Sequence, residues 1–152
     1  MDSKKVITSL NDLIETCRDG LVGFTEAADN VKRPDLKTFL NQIATDRAQF
    51  VTELQLEVRN LGGEPQKSGS TTATIRRAWL DLKGTFVGKD DHSILSECES
   101  AEDSTVDVYK DALKQGLPAN ILPTVERQFQ SIKQVHDRVK QMRDSKAAGS
   151  PR

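Results

Sequence analysis

The sequence predicts an all-α protein, a four-helix bundle with one long crossover that carries a short fifth helix. Three observations lead there. Apolar residues recur at spacings of three and four along four long stretches, the period of a helix with one buried face. Hydrophobic residues make up 36% of the chain, charged residues 30% and aromatics only 5%; with short β-branched runs, this argues against a sandwich or barrel. The connectors are unequal: each helix pair is closed by a short turn, and about thirty residues separate the pairs. Short turns make antiparallel neighbours, and a long connection lets the chain cross the bundle. The 152 residues suit one domain with its own core, expected over 1–144, with a disordered tail over 145–152.

The first helix is expected over 3–31, with Ser3 or Ser9 at its start. Its stripe runs Val6, Leu10, Leu13, Ile14, Cys17, Leu21, Phe24, Ala28 and Val31. Gly20 and Gly23 interrupt it, and each costs about 1 kcal/mol relative to alanine in an exposed helix. Either a neighbouring group approaches closely there, or the glycines are merely tolerated. Pro34 ends the pattern and opens the second helix, Asp35 to Leu61. Its stripe is Leu36, Phe39, Leu40, Ile43, Phe50, Leu54, Val58 and Leu61, and the same spacing puts Arg47 inside it. Gly62 and Gly63 stop it.

A polar loop follows, then a shorter helix over about 73–86 with Ile75, Ala78, Trp79, Leu82 and Phe86 on one side. Trp79 is expected to plug one end or flank of the bundle. If exposed instead, Trp79, Leu80 and Phe86 would form an oligomer contact. His92 reads as a surface or helix-start residue. The third long helix, 91–115, carries Ile94, Cys98, Ala101, Thr105, Tyr109 and Ala112, with one carboxylate, Glu102, in the stripe. Its other acids, Glu97, Asp103, Asp107 and Asp111, point elsewhere. The last helix, 119–144, carries Ile121, Val125, Gln128, Phe129, Ile132, Val135, His136, Val139 and Met142.

The net charge of −1 gives no reason to expect nucleic acid or an anionic membrane surface as partner. No apolar run approaches the ~20 residues of a membrane span. The N-terminal MDSKKVITSLNDL has no apolar core, so no signal peptide is expected. Cys17 and Cys98 sit on apolar stripes and read as buried thiols, which fits a cytoplasmic protein. No glycine-rich phosphate loop and no CxxC is present.

The segments LNDLIETCRDGLVGFTEAA, DRAQFVTELQLEVRNLGGEP, RRAWLDLKG, ECESAED and HDRVKQMRD resemble a bacterial family of ferritin-like four-helix-bundle proteins of unknown function. The resemblance covers about residues 8–144. It implies the ferritin-like fold and says little about activity.

Ferritin-like di-metal proteins take a Glu from each of two helices and a Glu-x-x-His from each of the others. No Glu-x-x-His occurs here. The second helix offers Arg47 and Phe50 at its core-facing positions, the last offers Lys133 and His136, and the first has Cys17 where a carboxylate would be wanted. A lone buried carboxylate needs a proton, a metal or a cationic partner. A guanidinium supplies a fixed positive charge. The expectation is therefore that Arg47 stands in for the metal and pairs with Glu102, with His136 and Tyr109 completing a buried polar network. No cofactor is expected on this reading, and the protein is a non-enzymatic structural or interaction module, with a homo-oligomer as one form. The alternative is a metal-binding protein with an oxidase or storage role, using Glu102, His136 and a nearby carboxylate, Glu99 or Asp46, for iron, manganese or zinc. A small-ligand carrier using the bundle interior is the third reading.

Overall fold

The computed structural model describes residues 2–65 and 86–145. Within them the chain forms four α-helices: α1 Ser3–Asn30, α2 Pro34–Asn60, α3 Asp91–Lys114 and α4 Leu122–Asp144. No strand occurs among the described residues. α1 packs along α2 and also against α3, α3 packs along α4, and α2 makes a smaller contact with α4. This is the four-helix bundle that the stripes and connectors predict. The crossover helix expected over 73–86, with Trp79 and Leu80, lies outside the described residues apart from Phe86. Phe86 sits in a turn and is buried in the core. It is therefore not part of an exposed contact surface. Of the tail expected from Ser145 onward, only Ser145 is described.

The helix ends follow local chemistry. Asp2, rather than Ser3 or Ser9, caps α1 by accepting from the Lys5 amide at 2.9 Å. Ser9 lies on the buried side of α1, and Asp90 caps α3 through the Ser93 amide at 2.8 Å. α2 opens on Pro34 and has no side-chain cap of its own. The amides just before it are served from another helix: the buried Asp91 carboxylate accepts from the Lys32 amide at 2.7 Å and the Arg33 amide at 3.1 Å. One carboxylate thus ties the α1–α2 turn to the start of α3. Gly62 and Gly116, with φ of 82° and 73°, take the left-handed turns after α2 and α3 that other residues resist.

The apolar core is in two blocks. One gathers Phe24, Val31, Leu36, Leu40, Phe86, Ile94, Cys98 and Val139; the other gathers Leu10, Leu13, Cys17, Leu54, Tyr109, Ile121, Val125 and Ile132. Every helix contributes to both. Full burial of such side chains contributes roughly 1.5–3 kcal/mol each. Between the blocks, along the sequence of α1, α2 and α3, stand Gly20, Arg47, Glu102 and Thr105, all buried. This polar layer is the waist of the bundle.

Candidate functional site

The waist is built around two charges. Arg47 keeps 1% and Glu102 0% of its surface exposed. Each lies in the apolar stripe of its helix, so the packing that buries the stripes carries both charges inside. Arg47 Nη1 donates to Glu102 Oε1 at 3.0 Å, and Nη2 donates to Oε2. The contact is bidentate, the geometry that suits a planar guanidinium and a carboxylate. Burial opposes the charge on Arg47, but the facing Glu102 carboxylate outweighs it and holds the guanidinium above its ordinary range. The guanidinium carbon also lies 5.3 Å from the centre of the Phe24 ring.

Room for this arrangement comes from α1. A Cβ built on Gly20 would stand 2.9 Å from Arg47 Nη1. The glycine thus has a packing reason: it lets the guanidinium lie against the helix backbone.

A second polar chain runs beside the pair. Tyr109 Oη lies 3.1 Å from Cys17 Sγ and donates to Gln128 Oε1 at 2.8 Å. Gln128 Nε2 donates to Glu53 Oε1 at 2.9 Å, and Arg127 Nη2 reaches Glu53 Oε2 at 2.8 Å near the surface. This chain fastens α1, α3, α4 and α2 together. Burial pushes the Cys17 thiol up to about 11 and the Tyr109 phenol well above its ordinary value, so both stay protonated at neutral pH. Both cysteines are free thiols, and burial raises Cys98 as well.

His136 is not in the waist. It lies on the flank of α4, 17% exposed at its side chain, and its Nε2 is 2.7 Å from Glu99 Oε2 and 2.7 Å from Asp103 Oδ1. Its Nδ1 is 3.0 Å from Asp137 Oδ1. Burial alone would lower the imidazole, but the Asp137 and Glu99 hydrogen bonds and the nearby carboxylates raise it. The expected network of Arg47, Glu102, His136 and Tyr109 is therefore corrected. Arg47 and Glu102 meet, Tyr109 bonds to Cys17 and Gln128, and His136 joins neither group. The physical reason is angular: Ile132 and Val139 fill the inward face of α4, and position 136 lies to one side of that line. The alternative ligand set is split too. Glu99 and His136 meet, but Glu102 is held by Arg47, and Asp46 accepts from Gln42 of its own helix.

The family profile described as a domain of unknown function, DUF2383, matches residues 5–115. The chain belongs to this family. The match takes in α1, α2 and α3 and stops before α4. No curated protein is matched by sequence. Two solved structures are similar in fold. One is a dodecameric thioferritin, the bacterioferritin-related protein of Bacteroides fragilis, at 14% identity over 93% of this chain and 85% of that one, with a TM-score of 0.73. The other is the DPS protein of Vibrio cholerae O1, described as a member of a broad superfamily of ferritin-like diiron-carboxylate proteins, at 14% identity over 91% and 89%, with a TM-score of 0.73. The fold of this member of the family is ferritin-like.

A di-metal centre of that superfamily does not fit the waist found here. Such a centre takes carboxylates from all four helices. Among the described residues the waist has the single carboxylate Glu102, and both its oxygens face Arg47. The waist partners Arg47 and Glu102 were visible as charges inside apolar stripes. Three other groups gave weaker signals. Gln128 stood in a stripe with no partner in view, Asp91 capped a distant turn, and Asp103 counted as an outward acid until α4 brought His136 beside it.

Proposed function

We propose that this protein is a non-enzymatic structural or interaction module of the ferritin-like fold, with a degenerate central metal site closed by an arginine. The observation that carries this reading is the bidentate contact between Arg47 and Glu102 at the waist. A cation at the waist would have to displace a guanidinium of fixed charge and leave it buried without its partner. Breaking such a pair is typically worth roughly 3–5 kcal/mol against the change. The protonated Cys17 and Tyr109 beside it supply no nucleophile or base at neutral pH. Kinship in fold with a protein described as dodecameric supports self-association as the form in which the module works.

Metal content decides between this and a metal-binding role that uses Glu102. The untagged protein is produced with iron, manganese and zinc supplied, and metal per chain is measured by mass spectrometry. The comparison is the double variant Arg47→Met/Glu102→Leu, which fills the waist with apolar side chains. The expected result is the same metal content in both proteins. Metal present in the wild type and lost from the double variant overturns the reading. Light scattering is expected to show more than one chain per particle; a strictly monomeric protein removes the self-association part.

A further inference from the structure

We propose that Glu99, Asp103 and His136 form a binding site for one divalent first-row transition-metal ion, of which zinc is the best match, in the groove between α3 and α4. The site lies outside the waist, so it stands or falls apart from the metal-free centre proposed above.

The two carboxylates are four residues apart on α3 and stack on one face of that helix. His136 reaches across from α4. One ligand atom from each residue lies within 4.8 Å of the other two. Glu99 and His136 are mostly buried, whereas Asp103 is 64% exposed and leaves the site open to solvent.

A second observation points the same way. His136 Nδ1 faces the Asp137 carboxylate at 3.0 Å. In the tautomer with its proton on Nδ1, the Nε2 lone pair faces Glu99 Oε2 and Asp103 Oδ1, each 2.7 Å away. Three ligand atoms thus converge on one point, where a metal ion can take the place of the Nε2 proton. A carboxylate behind the second ring nitrogen is the usual support of a metal-bound histidine. At zinc–ligand distances of about 2.0–2.2 Å, tetrahedral ligand atoms stand roughly 3.3 Å apart, so the two contacts of Nε2 with the carboxylates need to open by only about half an ångström. The exposed Asp103 can supply that movement. One imidazole with two carboxylates suits zinc, cobalt, manganese or iron(II) better than calcium or magnesium, which prefer oxygen alone. Solvent would take the fourth position. The competing cation is already present: Arg143 Nη1 donates to Glu99 Oε1 at 3.0 Å.

The full chain without a histidine tag is titrated with zinc by calorimetry and with cobalt by absorption spectroscopy. One equivalent is expected, with a cobalt spectrum of low coordination number. His136→Gln is expected to weaken zinc binding by at least about 100-fold, and Asp137→Asn by about 10-fold, the range of supporting partners. Arg143→Gln is expected to tighten it by up to about 10-fold, because it removes a like charge near the ion. A purely structural cluster would not respond in that direction. Asp103→Asn changes an exposed side chain and keeps the test open if His136→Gln disturbs folding; it is expected to weaken binding. No binding at millimolar zinc, binding unchanged in His136→Gln and Asp103→Asn, or weaker binding in Arg143→Gln overturns the proposal.

Discussion

Arg47 and Glu102 are each costly inside a protein and tolerable together. Replacing either alone leaves the other charge buried without a partner. Arg47→Ala and Glu102→Ala are each expected to lower unfolding stability by roughly 3–5 kcal/mol, measured by urea denaturation. Arg47→Met/Glu102→Leu is expected to recover most of that loss, since an apolar pair of similar size avoids both desolvation penalties. A double variant as unstable as the singles would mean that the pair stabilises the fold in its own right. Asp19 gives a residue-level test of pH. Burial lifts its carboxyl from 3.8 to about 6, and its Oδ2 has no hydrogen-bond partner among the described residues. The folded chain therefore holds this proton more tightly than the unfolded chain does. Its contribution is most favourable below about pH 4 and is lost as pH rises through about 6. The side chain is partly exposed, so solvent reduces the effect to about 1 kcal/mol. Asp19→Asn is expected to match wild type near pH 4 and to exceed it by about that amount at pH 8. Equal stability at both pH values would refute this account. At this scale the sequence was informative where a charge interrupts an apolar stripe, as at Arg47 and Glu102. It was misleading at His136, because a stripe drawn by spacing is wider than the face that packing buries.

At the scale of elements, the four long helices were legible because each carries its own periodicity and its own stop. Gly62 and Gly116 mark two of those ends directly. The helix starts were harder to read. The turn before α2 is held by Asp91, fifty-odd residues downstream, and no local pattern announces an acceptor supplied by another helix. That contact is open to test. Asp91→Ala removes the acceptor from two backbone amides at a part-buried turn and is expected to cost about 2 kcal/mol. Hydrogen exchange at Lys32 and Arg33 is expected to speed up with it. Unchanged exchange at those two amides would show that the turn holds itself.

At the scale of the molecule, the topology followed from connector lengths, and the charge balance followed from composition. The chain spans both core blocks with every helix, so neither block can be assembled from one half of the sequence alone. What composition and periodicity could not convey is which side chains meet across the bundle, since that depends on the height at which each helix is set. The apolar stripes alone leave that height loosely defined: a helix repeats its pattern every turn, and a slide of about 5.4 Å would still place aliphatic groups against aliphatic groups. The waist does not tolerate such a slide. Moving α3 by one turn would carry Glu102 away from Arg47 and strand two charges in oil. The ion pair thus acts as a vernier mark on an otherwise smooth scale, fixing the alignment of the two helical hairpins.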